Sequence, residues 1–156
     1  MLQVVKMNRN PLGRSASEEY LNQVLNRQSR KHQNFGDHLK KALAKGEKAL
    51  DNVYFLLKGN EMIGCCGMVL NEGVHEEESQ KPWITSLYVQ EEHRGNNYSE
   101  MLLNHVIHNA KLEGYESAYF AAGGTDFEPR KCQNWVKLPH QNLADRVYYK
   151  NLDDRR

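Results

Sequence analysis

The feature that most constrains the fold is a strand, a polar turn and a helix that follow one another without interruption. Residues 83–89 are an apolar run rich in strand-favouring residues, and a polar turn around Arg94 follows them. Apolar residues then recur at helical spacing, namely Leu102, Leu103, Val106, Ile107 and Ala110. Gly114 suits a helix C-cap, and residues 117–122 form another apolar run. This order predicts two parallel strands joined by a helical crossover.

The polar turn before this helix is a candidate phosphate site. The first N–H groups of a helix have no carbonyl partner within it, and the helix dipole is positive there. Residues 94–99 place a guanidinium, a glycine and small polar side chains beside those groups. The simpler alternative is a structural strand-to-helix turn that binds no ligand, because a short motif of this kind is weak evidence by itself.

The remaining pattern completes a mixed sheet. The predicted strands are residues 2–7, 52–58, 62–70, 83–89, 117–122, 135–138 and 146–152. The predicted helices surround Leu21, Leu43 and Val106, and a further helical turn follows residue 126. A capping box at residues 15–18 marks the first helix, and Gly59 with Asn60 makes a hairpin turn. The order β-α-α-β-β-β-α-β-α-β-β predicts an α/β fold (an α+β mixed sheet) in one domain, residues 1–156.

Composition excludes several classes of protein. The chain has 156 residues and a net charge of +1, which gives no basis for broad nucleic-acid or membrane-surface binding. No apolar run reaches the ~20 residues needed to span a bilayer, and the N-terminus has no signal-peptide pattern. Cys65 and Cys66 are neighbours in a strand and point to opposite faces, so they suit neither a disulfide nor a metal. With Cys132 they predict a reducing, cytoplasmic location.

The order of elements, and residues 83–122 in detail, resemble the GNAT superfamily of acyl-CoA-dependent N-acetyltransferases. The family signature, Arg/Gln-x-x-Gly-x-Gly/Ala, aligns with residues 94–99, and residues 87–89 and 101–103 match its flanks. The resemblance implies a splayed central strand pair, acetyl-CoA (or another acyl-CoA) as co-substrate, and no metal. The CoA-binding residues that it implies are Leu87, Tyr88, Val89, Arg94, Gly95, Asn96, Asn97, Tyr98 and Ser99.

Two parts of the family pattern are changed in this chain. Asn97 and Ser99 stand where the signature has glycines, which normally let the backbone approach the pyrophosphate. Asn is the most tolerant substitute for a left-handed conformation, so we expect weakened rather than lost binding. Arg130 stands where the family often has the tyrosine that protonates the CoA thiolate. Arginine cannot donate that proton, since its pKa stays above ~12, although it could stabilise the thiolate charge.

No general base or acid can be identified from the pattern. Ser86, Arg130 and Tyr148 are weak candidates, and ordinary strand packing explains Ser86 and Tyr148 equally well or better. Alternation in the last strand places Tyr148 and Tyr149 on opposite faces. The acidic residues 76–78 could overhang an acceptor site or be a solvated loop. His105 and His108 read as an exposed pair rather than as metal ligands.

These observations predict an N-acetyltransferase that moves an acyl group from acyl-CoA to a primary amine of a small molecule or peptide. The amine would attack the thioester directly in a ternary complex. The alternative is a GNAT-fold module that binds CoA or a protein partner with little or no transfer. A nucleic-acid-binding domain rests only on lysines in residues 40–48, and near-zero net charge counts against it. The resemblance also allows a homodimer.

Overall fold

The computed structural model describes residues 1–28, 52–70, 82–121, 129, 134–138 and 147–152. The strands in these ranges are β1 Leu2–Lys6, β2 Val53–Lys58, β3 Glu61–Leu70, β4 Pro82–Val89, β5 Ser117–Ala121, β6 Trp135–Lys137 and β7 Val147–Asn151. The helices are α1 Arg14–Gln28 and α2 Tyr98–Leu112, and 3-10 turns occupy Met7–Arg9 and Glu91–His93. The predicted second helix and the helical turn after residue 126 lie outside the described residues.

All seven strands join one mixed sheet in the order β1-β2-β3-β4-β5-β7-β6. The pairing of β4 with β5 is parallel, as the strand–helix–strand pattern predicts, and every other pairing is antiparallel. The hairpin between β2 and β3 turns at Gly59 and Asn60, also as predicted. The predicted α/β class with a mixed sheet is therefore confirmed.

The central parallel pair is described over its first part. The register links Trp83 with Tyr119 and Ile84 with Phe120. The rings of Trp83 and Tyr119 stack there, with centroids 4.6 Å apart and an interplanar angle of 14°. Beyond Ile84, β4 continues to Val89, whereas the described part of β5 ends at Ala121. A splayed pair, which the resemblance implies, therefore stays a prediction.

The helices cover opposite faces of the sheet. The predicted apolar residues of α2 are all buried, and they share a core cluster with Ile63, Cys66 and Leu87. The apolar residues of α1 belong to a second cluster, on the other face, with Cys65 and Tyr88. The two neighbouring cysteines thus point to opposite faces, as alternation predicts.

The end of α2 agrees with the prediction from the sequence, whereas the start of α1 differs from it. Gly114, with φ +97°, closes α2 as expected: its N–H donates to the carbonyl of Lys111, and that of Tyr115 donates to the carbonyl of Ala110. The capping box at residues 15–18 is wrong, because α1 begins at Arg14 and the Gly13 carbonyl accepts the Ser17 N–H instead. Neither described helix is long and apolar enough to cross a membrane.

Candidate functional site

A bulge interrupts β4 shortly after Ile84, the last residue of β4 with a described partner on β5. On β3, Cys65 pairs with Tyr88 but Gly67 pairs with Thr85, so β4 carries one extra residue between these positions. Ser86 lies in this bulge with φ +56°, a left-handed conformation that costs an L-residue about 1–2 kcal/mol. It is also 95% buried, with 5% of its surface exposed. Such conformations persist only where the surroundings impose them, and they cluster at functional sites.

Gly64 on β3 allows the close approach that the bulge needs. A Cβ atom at this position would lie 2.8 Å from the carbonyl oxygen of Tyr88 and 3.1 Å from Cδ1 of Leu102. Any other residue would push β3 away from the end of β4. Gly64 is not among the residues predicted from the sequence, although a glycine inside a strand pattern indicates a bulge or a close backbone contact.

The end of β4 offers backbone rather than side-chain groups to a ligand. Leu87, Tyr88 and Val89 are 1%, 6% and 3% exposed, so their side chains fill the two cores. This stretch lies beyond the last described pair of β4 with β5, Ile84 with Phe120. An extended ligand with amide groups can pair with a strand edge in the way that a strand does.

The polar turn leads from β4 into α2 through two residues with positive φ. Gly95 has φ +88°, and Asn97, the residue before α2, has φ +63° and ψ +23°. The carbonyl of Asn97 accepts the N–H of Met101 at 3.1 Å, which begins the helical hydrogen bonding. Asn97 thus adopts the left-handed conformation that asparagine tolerates better than other side chains. The helix then directs its first N–H groups, including those of Tyr98 and Ser99, out of its N-terminus.

Arg94 connects the turn to the end of β4. Its Nε donates to the carbonyl of Val89 at 2.8 Å, and its guanidinium carbon lies 5.6 Å from the centroid of the Tyr88 ring. Arg94 is nevertheless an exposed residue. The side chain is held at one nitrogen while its charge stays at the surface, which suits contact with an anion.

An open pocket of about 180 Å³ lies at the N-terminus of α2. Its lining consists of Val89, Arg94, Gly95, Asn97, Tyr98, Ser99 and Glu100. Six of these are residues that the sequence predicted for CoA binding, and Glu100 is an addition. Asn96 does not line the pocket; its Nδ2 donates to the carbonyl of His93 at 3.0 Å. The helix terminus and Arg94 favour a phosphate here, whereas the carboxylate of Glu100 opposes one.

The candidate catalytic residues lie in different parts of the chain. Ser86 is within the bulge, and Arg130 falls outside the described residues. Tyr148 is 6% exposed and stacks on Phe120, with ring centroids 6.1 Å apart, on the face that α2 covers. Tyr149 packs with a separate cluster on the opposite face, as alternation predicts. The structure thus places Tyr148 beside the last residue of β5 that pairs with β4.

The histidines of α2 are not an exposed pair, so that prediction is wrong for His105. Its ring lies 5.9 Å from that of Tyr54 and is half-buried, because β2 approaches this side of the helix. Burial lowers the pKa of His105, and the nearby His108 lowers it further. Asn109 donates to the Tyr54 hydroxyl at 3.4 Å. Within the described ranges, no group of three or more His, Cys, Asp or Glu residues could hold a metal ion.

A mixed sheet with a helix on each face, and a bulged strand that leads to an open pocket at a helix N-terminus, place the chain in the class of mixed α/β domains. The model of the acetyltransferase (GNAT) family matches residues 18–130 of the sequence. The chain therefore belongs to the GNAT acetyltransferase family. A comparison with curated proteins gives no match.

Several solved structures share this fold. Aminoglycoside 6′-acetyltransferase type Ii is 15% identical with a TM-score of 0.67, and the match covers 99% of each chain. A GNAT acetyltransferase from Staphylococcus aureus Mu50 is 16% identical with a TM-score of 0.64 over 98% of this chain and 100% of its own. N-acetylglutamate synthase from Neisseria gonorrhoeae, solved with coenzyme A and N-acetyl-glutamate, is 12% identical with a TM-score of 0.65. This chain spans 35% of the length of that synthase, and the match covers 98% of this chain.

Proposed function

We propose that the protein is an acyl-CoA-dependent N-acyltransferase that acylates a primary amine of a small molecule or peptide. The observation that carries this proposal is that a bulge and a pocket follow one another along the chain. The bulge at Ser86 lies in the middle of β4, and the phosphate-type pocket lies beyond the end of the same strand, at the N-terminus of α2. Acyl-CoA has the same order of chemical groups, with a thioester, an amide-bearing arm and a pyrophosphate.

The pocket provides the positive field for the pyrophosphate. Arg94 and the first N–H groups of α2 would hold it, with Asn97 and Ser99 adding hydrogen-bond donors beside the turn. The pantetheine amides would pair with the edge of β4 on the β5 side, along Leu87 to Val89. No metal is required in this scheme, because the helix terminus and the guanidinium supply the charge.

The reaction would proceed by direct attack in a ternary complex. The neutral amine nitrogen attacks the thioester carbonyl carbon, and negative charge develops on the carbonyl oxygen. Backbone N–H groups at the bulge would stabilise that charge. The tetrahedral species then collapses with cleavage of the C–S bond. The nitrogen loses its proton to water, and the CoA thiolate takes up a proton.

Tyr148 is our candidate for the group that protonates the thiolate. It lies on the face that α2 covers, beside Phe120, whereas Tyr149 points to the other face. We expect Tyr148→Phe to lower kcat at least about tenfold, as for the loss of a general acid, with acetyl-CoA affinity unchanged. Tyr149→Phe is the matched control and should retain kcat. Equal kcat in both variants would leave protonation to water.

The acceptor class can be narrowed with compounds suggested by the structural neighbours. Two of these are an aminoglycoside acetyltransferase and a synthase solved with N-acetyl-glutamate. A panel of aminoglycosides, amino acids including glutamate, and peptides with free amines would therefore cover both kinds of acceptor. We further propose a cytoplasmic enzyme, and homodimer formation stays a prediction that sedimentation can test.

Isothermal titration tests whether the protein binds acetyl-CoA, which the proposal requires. We expect binding to the wild-type protein and a loss of about tenfold or more in affinity for Arg94→Ala, which removes a charge-assisted contact. Arg94→Lys should lie between them, because it keeps the charge and loses the Nε bond to Val89. No heat of binding at millimolar acetyl-CoA would rule the proposal out.

A binding module without efficient transfer is the second candidate. The observation that favours it is the pocket lining, where Asn97 and Ser99 stand at the two glycine positions of the signature and Glu100 adds a negative charge. In that case the wild-type protein would bind acetyl-CoA but acylate no amine of the panel. The Arg94→Ala variant separates the two candidates, because only an enzyme loses acylation together with binding.

A further inference from the structure

The bulge in β4 is flanked by two buried thiols of β3. The Sγ of Cys65 lies 3.9 Å from the carbonyl oxygen of Ser86, and the Sγ of Cys66 lies 3.9 Å from that of Thr85. The thiol of Cys66 also lies 3.9 Å from the carbonyl of Gly67, so it is shared between two acceptors. Cys65 has the Ser86 carbonyl as its one recorded acceptor among the described residues. The two contacts approach the bulge from opposite faces of the sheet.

The contact from Cys65 bears on the direction of a backbone donor. The carbonyl of Ser86 and the N–H of Leu87 belong to one planar trans peptide unit and point in opposite directions. The carbonyl faces Cys65 on β3, so the N–H of Leu87 points away from β3. The other neighbour of β4 is β5, whose last described pair with β4 is Phe120 with Ile84. The Leu87 N–H is therefore directed to the β5 side of β4, beyond that pair.

We propose that Cys65 is a positioning residue, whose thiol holds the Ser86–Leu87 peptide so that the Leu87 N–H points at the acyl carbonyl. This inference rests on the proposed function, since it needs a bound thioester beside the Leu87 N–H. A thiol that donates to the carbonyl also polarises the peptide and strengthens its N–H as a donor. Cys65 is fully buried, and burial raises the pKa of its thiol to about 12, so it stays protonated and can donate.

The thiol is suited to this task by its size. A sulfur reaches a carbonyl at 3.9 Å with a weak bond and fills the space between α1 and the strand, where Tyr20 and Phe55 also pack. Ser86 holds a left-handed conformation with no help from its own residue type, because serine is not among the residues that favour it. A neighbouring residue must therefore fix the Ser86–Leu87 peptide, and Cys65 contacts the carbonyl of Ser86 itself.

The test compares three variants by transfer kinetics, nucleotide binding and thermal unfolding. Cys65→Ala removes the donor, Cys65→Ser restores one, and Val24→Ala is the control, because Val24 lies in the same core cluster on α1. We expect Cys65→Ala to lower kcat about threefold to tenfold, in line with one weak hydrogen bond. Its affinity for adenosine 3′-phosphate 5′-diphosphate, the nucleotide half of CoA, should not change. Val24→Ala should lower Tm as much and keep kcat, and Cys65→Ser should recover part of the lost kcat.

A second measurement needs no ligand. The amide resonance of Leu87 in the ligand-free protein should shift in Cys65→Ala and not in Val24→Ala. An unchanged Leu87 amide, or an equal loss of kcat in both alanine variants, would overturn the role of Cys65. A wild-type protein with no acetyl-CoA binding and no transfer would instead overturn the proposed function, and the amide resonance alone would then decide the position of the peptide.

Discussion

The bulge in β4 and the turn before α2 both depend on left-handed backbone, but they obtain it in different ways. At the bulge, Ser86 is buried, and β3 packs against this part of β4 through Gly64, beside the Tyr88 carbonyl, and Cys65, beside the Ser86 carbonyl. In the turn, Gly95 and Asn97 are exposed and adopt positive φ because their own residue types tolerate it. The comparison separates geometry that the tertiary structure imposes from geometry that the local sequence encodes. Substitutions at the two places should therefore have different effects.

The largest effect is expected at Gly64. Its new Cβ in Gly64→Ala would lie 2.8 Å from the Tyr88 carbonyl oxygen, which is backbone and cannot turn aside. We expect a loss of about 1–3 kcal/mol in the free energy of unfolding, as for overpacking of a core, measured by urea denaturation. Gly95→Ala is the counterpart in the turn: no atom lies within 4 Å, so only its φ of +88° opposes the side chain. Equal stability of wild type and Gly64→Ala would show that β3 does not constrain the bulge.

The next largest effect is expected for Glu100, and it concerns CoA affinity at the turn alone. Its carboxylate lines the pocket and would repel the CoA phosphates. We expect Glu100→Gln to raise CoA affinity about threefold to tenfold at low salt, for a charge interaction of roughly 1 kcal/mol, and less at high salt. Titration calorimetry at two ionic strengths measures this. Glu92→Gln, in the exposed 3-10 turn outside the pocket lining, is the control and should leave affinity unchanged.

Asn97 tests whether the turn is encoded locally. Asn97→Gly keeps the positive φ and lets the backbone approach the ligand more closely. We expect CoA affinity to rise about twofold to fivefold, which corresponds to ~0.5–1 kcal/mol. Asn96→Gly removes a side chain that bonds to His93 and does not line the pocket, so its affinity should stay the same. A weaker complex in Asn97→Gly would mean that the asparagine amide itself binds the phosphate.

The smallest effect is expected on the pH dependence of stability. It comes from a histidine on α2, away from the bulge and the turn. Burial lowers the pKa of His105 below its ordinary value of 6.5, so the folded state takes up this proton less readily than the unfolded chain. Stability is therefore present above about pH 6.5 and is lost as the pH falls through the folded pKa. We expect His105→Gln to flatten that acid decline in urea unfolding measured at several pH values. His108→Gln, the exposed neighbour, should flatten it less, and an identical pH profile for all three proteins would contradict the assignment.

The sequence predicted the elements that periodicity and turn chemistry encode. Apolar spacing identified α2 and its buried face, Gly114 marked its end, and six of the residues named from the resemblance line the pocket, without Glu100. The bulge was not predictable from Ser86, because no local preference of serine indicates a left-handed conformation in a strand. It depends on β3, which is distant in sequence. His105 was assigned to solvent because helical periodicity does not show that β2 approaches that side of α2.

The position of β7 between β5 and β6 has a consequence for the order of assembly. Among the described strands, β6 pairs only with β7, although it precedes β7 in the chain. During synthesis β6 would emerge first and have no strand to join until β7 had docked on β5. A strand of three residues is too short to hold by itself. The C-terminal edge of the sheet should therefore form last, and hydrogen exchange in β6 should report the opening of β7 from β5 rather than its own unpairing.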